Sequence, residues 1–318
     1  MREQRQAALA RAIRELERRF GPGIVYRLSQ AKPKCGALAL ATGSLGLDQA
    51  TGIGGVPRGR ITELFGPPSC GKTTLAYHIL ANAQSDGGMA AFIDAAQAMD
   101  GEAMLASGVN LDDLLIAVPL SAGEAMEIAE ILARCRALDA VVLAALTSLC
   151  TAGDPGRRMP EVLRKVNAAL KGSPTAIVLV DEGSAIKARP LAPLPFYASL
   201  RVALSPLCAL RGPGGDVVGL RVQAIVVKNK LAKPGGVAEF TIREGRGIHR
   251  EAELLDLALS HSLIETLPLG LVYQGELLGK SRGQAIGYLA QTPQVADKLE
   301  RELGELRGRR IAWRTSGT

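Results

Sequence analysis

Leu9, Ile13, Leu16 and Phe20 recur at helical spacing while arginines fill the intervening positions, which predicts an amphipathic helix over the first twenty residues. Gly21-Pro22-Gly23 stops it. A lone helix of this length is marginal in water. Its apolar stripe therefore needs a surface to cover, on its own core or on a neighbouring subunit. Further on, short runs at 61–65, 89–93, 140–143, 176–180 and 222–227 are predominantly apolar rather than alternating, as expected for strands buried on both faces. Helical patterns at 73–85, 123–137 and 160–171 separate most of them. Such alternation predicts an α/β fold with a mostly parallel central sheet and right-handed crossovers. After residue 250 the pattern changes to a helix over 251–264, a hairpin over 271–278 turning near Tyr273-Gln274-Gly275, and helices over 283–290 and 293–306. The chain thus divides into an N-terminal helix and linker (1–33), a core (34–249) and a small C-terminal α/β module with a basic tail (250–318).

Composition narrows the classes. Hydrophobic residues make up 47% and charged residues 22% of 318, the profile of a folded globular chain. Aromatics are only 3%, so Ala, Val, Leu and Ile must build the interior. The net charge of +7 points toward a polyanionic partner. The five cysteines, Cys35, Cys70, Cys135, Cys150 and Cys208, are scattered without a CxxC pair, which suits a reducing compartment and argues against a zinc site. His78, His249 and His261 form no metal-ligating pattern. The N-terminus is charged throughout and no run is long enough to span a bilayer, so a cytoplasmic protein with no membrane partner is expected.

The strongest chemical signal is Gly66-Pro67-Pro68-Ser69-Cys70-Gly71-Lys72-Thr73-Thr74. It matches GxxxxGK[ST] with an apolar strand before it and a helix after it. Glycines let successive N–H groups curl toward phosphate oxygens, and the helix N-terminus adds its positive dipole end. Lys72 can reach the β- and γ-phosphates, and the Thr73 hydroxyl can ligate Mg²⁺.

Several further stretches occur in a consistent order around this loop. They are Ala41-Thr42-Gly43-Ser44-Leu45-Gly46-Leu47-Asp48, Gly54-Gly55-Val56-Pro57-Arg58-Gly59-Arg60, Phe92-Ile93-Asp94-Ala95, Phe196-Tyr197-Ala198-Ser199-Leu200-Arg201 and Val227-Lys228-Asn229-Lys230. Together they resemble the bacterial RecA recombinase family, from the first helix to the small C-terminal module. The resemblance implies a RecA-like P-loop core that takes ATP with Mg²⁺ between adjacent protomers of a helical filament on single-stranded DNA. It implies that Lys228 and Lys230 reach a neighbour's phosphates, and that Asp100 lies beside the adenine.

The acidic positions depart from the family. The family's catalytic glutamate is replaced by Ala96, its strand-end aspartate by Ala144, and the tyrosine that stacks on the base by Ala103. Asp181 and Glu182 stand where the family's γ-phosphate-sensing glutamine ends a strand. A methyl group can neither polarise water nor hold a metal. Losing a catalytic base costs about 10²–10⁴ in rate, so ATP hydrolysis is expected to be weak or absent unless Asp181 or Glu182 supplies a displaced carboxylate.

Two stretches resemble the family's DNA-gripping loops in shortened form. The first carries Arg157 and Arg158 and leads into a helix presenting Arg164, Lys165 and Lys171; the second carries Lys187 and Arg189 among Pro190, Pro193 and Pro195. Proline stiffens such a loop. Basic residues without interleaved aromatics favour phosphate contact over base reading, so DNA binding should be salt-sensitive and weakly sequence-dependent. Two functions follow. One is a recombination and repair protein that binds ATP and single-stranded DNA and assembles with itself. The other is a non-enzymatic accessory that modulates the filament of another RecA, or serves a repair polymerase as an ImuA-like mutagenic-repair partner.

Overall fold

The computed structural model describes residues 2–21, 25, 39–85, 87–145, 159–181, 193–212 and 214–315, with side chains from residue 4 to residue 305. The chain forms two compact units, Met1–Leu38 and Ala39–Thr318. The first holds helix α1 (Arg2–Phe20), whose stripe residues Leu9, Leu16 and Phe20 are exposed.

The second unit opens with β1 (Ala39–Leu40), α2 (Leu45–Thr51), β2 (Val56–Pro57), β3 (Ile61–Phe65) and α3 (Lys72–Gln84). It continues with β4 (Ala90–Asp94), α4 (Gly101–Ala106), β5 (Leu114–Ala117), α5 (Ala122–Cys135), β6 (Ala140–Ala144), α6 (Met159–Ala169) and β7 (Ala176–Asp181). Then come α7 (Leu194–Tyr197), β8 (Leu200–Arg211), β9 (Val217–Asn229), β10 (Val237–Arg243) and β11 (Gly247–Ile248). The last stretch holds α8 (Arg250–Ser260), β12 (Ile264–Leu267), β13 (Gly270–Tyr273), β14 (Glu276–Gly279), α9 (Arg282–Gln291) and α10 (Pro293–Thr315).

Nine strands form one sheet in the order β11-β10-β9-β8-β3-β7-β6-β4-β5. The pairs β3·β7, β7·β6, β6·β4, β4·β5 and β3·β8 are parallel, as the alternating pattern predicts. The pairs β8·β9, β9·β10 and β10·β11 are antiparallel. The apolar run at 222–227 is therefore the middle of a long antiparallel strand. Its burial alternates, with Val222, Ala224 and Val226 inward, rather than covering both faces.

The strands' period of two divides the core. Val142, Ala144, Val178 and Val180 face α3 in one apolar cluster, while Val141, Leu143, Ile177 and Leu179 face α5 and α6 in another. A third cluster fills the C-terminal module, where β12, β13 and β14 form a separate antiparallel sheet. The expected helix over 251–264 is shorter. The helix stops at Ser260, Ser262 takes a left-handed φ of 57°, and Ile264 starts β12. The turn at Gln274-Gly275 between β13 and β14 lies where the sequence predicts it.

Glu253 fastens this module to the core. Its buried carboxylate accepts hydrogen bonds from the Ser44 hydroxyl at 2.6 Å and from the Gly46 and Leu45 amides at 2.8 and 3.1 Å, the entry to α2. Burial pushes this carboxyl up to about 7, while the three donors pull it down.

Candidate nucleotide-binding site

β3 delivers the chain into the glycine-rich turn at the C-terminal edge of the sheet. A Cβ on Gly66 would lie 2.2 Å from the Leu204 carbonyl oxygen, and one on Gly71 would lie 2.2 Å from Ile242 Cδ1. Gly71 also has a left-handed φ of 86°. Both positions therefore require glycine. Gly71 caps α3 without any side-chain hydrogen bond, so the first-turn amides are left for a ligand to satisfy. The Lys72 ammonium meanwhile donates to the carbonyl oxygens of Gly66 at 3.1 Å and Pro67 at 2.6 Å. Its third contact is Cys70 Sγ at 3.7 Å. Burial raises the Cys70 thiol above its ordinary value, with Lys72 opposing.

In front of this turn lies a cavity of about 580 Å³, within the usual range for small-molecule sites. Ser69, Cys70, Gly71, Lys72, Thr73 and Thr74 line it; Gly66, Pro67 and Pro68 stand just before. The cavity spans strand ends on both sides of β3. Ala96, Ala144 and Val180 belong to the side of β4, β6 and β7, while Leu220, Ile242 and Glu244 belong to the side of β9 and β10. Tyr77 and Phe92, a tilted pair with centroids 5.7 Å apart, also face it. Burial pushes the Tyr77 hydroxyl up.

Ala96 and Ala144, where acidic residues were the expectation, both line the cavity. Asp94, directly across from Ala144 in the sheet register, also lines it. Its carboxylate is engaged, accepting from the amides of Ala98 at 3.2 Å and Met99 at 3.0 Å. Asp181 does not line the cavity. The strand period places it on the face of Ile177 and Leu179, away from Val180. It is buried, and its Oδ1 has no hydrogen-bond partner among the described residues. Asp100 is likewise outside the lining. It caps α4, accepting from the Ala103 amide at 2.9 Å, and its own amide donates to the Tyr77 hydroxyl at 3.4 Å. Ala103 is packed against the core.

Lys228 and Lys230 emerge together at the end of β9. Lys230 Nζ donates to the Phe196 carbonyl at 2.9 Å and lies 5.6 Å from that ring's centroid. Lys228 Nζ donates to Pro195 and Phe196 carbonyls. Burial lowers the Lys228 ammonium, helped by Lys230 and Arg201 and opposed by Glu63. Arg201 pairs with buried Glu63 and stacks 4.6 Å over Phe65. Of the DNA-contact expectations, Arg164 is exposed on α6, and Lys165 pairs with Glu161 at 3.1 Å. Arg157, Arg158, Glu182, Lys187 and Arg189 lie outside the described residues.

Sequence reasoning missed Asp94, Tyr77 and Glu244 as parts of the site. Asp94 stood in a quoted strand motif, and its strand-end position was the available signal. Glu244 reaches the cavity only through the β9–β10 pairing, which no local pattern announces.

A parallel-cored sheet with a glycine-rich strand-to-helix turn, a buried lysine and an open helix N-terminus defines a P-loop nucleotide-binding protein. The family model described as RecA N-terminal domain matches residues 7–249. The chain is 38% identical to Protein RecA of Syntrophobacter fumaroxidans, over 98% of this chain and 96% of that protein. It is 37% identical to Protein RecA of Salinispora tropica, over 96% and 93%. Against Protein RecA of Pseudomonas putida the figures are 36% identity over 95% and 91%. The chain belongs to the RecA family.

Proposed function

We propose that this chain binds ATP with Mg²⁺ and single-stranded DNA, assembles with itself, and serves recombination and repair in the cytoplasm while hydrolysing ATP weakly or not at all. One observation carries the reading: Lys72 and the unsatisfied N-terminus of α3 share a cavity with Ala96 and Ala144. The cradle fits a triphosphate. For the metal, Thr73 offers a hydroxyl, whereas Ala144 offers no oxygen and the Asp94 carboxylate already holds two amides. Mg²⁺ would supply charge neutralisation at the phosphates. Lys72 would leave its three loop partners to meet phosphate oxygens.

Lys228, Lys230 and Arg201 form a cationic cluster with one acidic partner, Glu63, and suit a phosphate brought by an adjacent protomer. Arg164 and Lys165, with Arg157, Arg158, Lys187 and Arg189, would hold DNA phosphates. In this reading residues 1–33 serve assembly, 34–249 bind nucleotide, and 250–318 form the accessory module. No described helix is long and apolar enough to cross a membrane.

The exposed apolar stripe of α1 also favours a second reading, an accessory that docks on another RecA or with a repair polymerase, ImuA-like in role. The test restores the missing acids. Ala96→Glu with Ala144→Asp should raise ATP turnover by about 10²-fold or more, measured as phosphate release with single-stranded DNA. Wild-type turnover already equal to that of the double variant contradicts the proposal.

A further inference from the structure

We propose that Glu244 reads the base edge of the bound nucleotide, so that the site proposed for ATP also takes GTP and holds the guanine base the more tightly. The inference rests on the nucleotide reading above. The phosphate tail has a fixed direction in the cavity. Lys72 and Thr73 sit at its centre, and the positions that would act on a terminal phosphate, Ala96 and Ala144, lie at the ends of β4 and β6. The sugar and base must then extend away from that end. On the opposite side of the P-loop the lining consists of Val217, Leu220 and Ile242, which can cover a base face, and one ionisable side chain, Glu244.

Glu244 is exposed just beyond the last residue of β10, with its amide held by the Val218 carbonyl at 3.2 Å. Among the described residues, no hydrogen bond or ion pair holds its carboxylate. An unengaged carboxylate in a nucleotide cavity has acceptors and no donors to offer. Guanine presents its N1–H and N2–H₂ side by side, two donors that a carboxylate can accept together. The same edge of adenine presents one donor and one acceptor, so a carboxylate gains one bond and meets a repelling lone pair.

The other carboxylates nearby are committed elsewhere. Asp94 holds the amides of Ala98 and Met99, and Asp100 holds that of Ala103 and stays outside the lining. With alanine at position 103, no aromatic ring from α4 competes to fix adenine.

Binding of fluorescent ATP and GTP analogues labelled on the ribose, with Mg²⁺, is measured on the full-length protein. Wild type should bind the guanine nucleotide about tenfold or more tightly, the size of one charged hydrogen bond gained. Glu244→Gln, whose amide offers one acceptor and one donor and so pairs with the edge of either base, should abolish the preference. Glu244→Ala should bring the two affinities within about twofold of each other. A wild type that prefers ATP, or a guanine preference that survives both substitutions, overturns the role of Glu244 while leaving nucleotide binding intact. Binding of neither nucleotide to wild type overturns the nucleotide reading itself, and this inference falls with it.

Discussion

Lys72 and Ala144 line the same cavity, yet one can answer a phosphate oxygen and the other offers only a methyl group. The P-loop was legible because its residues are contiguous and each has a local task. Asp181 shows the limit of such reading. Its sequence position allowed a displaced carboxylate, but strand alternation turns it to the face away from the cavity. His78 carries the clearest pH consequence. Its Nε2 accepts the Ile248 amide at 2.8 Å, tying α3 to β11, and burial lowers its pKa from 6.5 to about 4. The folded imidazole stays neutral while the unfolded one takes up a proton, so stability falls as pH drops from 6.5 to about 4. The loss should approach 3 kcal/mol at about 1.4 kcal/mol per unit. Glu253 acts in the opposite sense: its raised pKa costs stability as pH climbs from 4.5 to about 7. Urea melts of wild type and His78→Gln at pH 7.5 and 5 separate the two. The variant should lose less stability on acidification, and equal losses would contradict the assignment.

Among the elements, β4, β6 and β7 were legible as unbroken apolar runs flanked by helices and β3 as a run interrupted by Thr62 and Glu63, whereas the four-residue parallel strand β5 was not read. The antiparallel extension was not, because β8 and β9 are long and half-exposed, and partner choice between such strands is a long-range matter. The helix end at Ser260 was hidden because Leu263 and Ile264 continue an apolar pattern that a left-handed Ser262 cuts. α1 presents Leu9, Leu16 and Phe20 outward, and β5 is an edge strand of the large sheet with Leu115 and Ile116 exposed. Unpaired strand edges and apolar stripes are both sites of association. Replacing Leu9 and Leu16 together with Glu should leave a monomer by light scattering on a sizing column. Nucleotide binding should persist, since every lining residue belongs to the unit Ala39–Thr318. Unchanged assembly would remove α1 from the account of self-association.

The whole molecule combines a glycine-rich cradle, a cationic cluster at the end of β9, a basic net charge of +7 and a cavity lined by Ala96 and Ala144 where the proposed function expects acids. Glu253 holds the C-terminal module against α2, so core and module lie in one compact unit. On the proposed function, nucleotide would act as a ligand that favours one assembled state, without a hydrolytic cycle to dissolve it. The direct measurement follows nucleotide occupancy and phosphate release in the same sample, with and without single-stranded DNA. Occupancy should rise when DNA is added while phosphate release stays near the uncatalysed background. Brisk DNA-stimulated release, or a protein that holds no nucleotide in either condition, would contradict it.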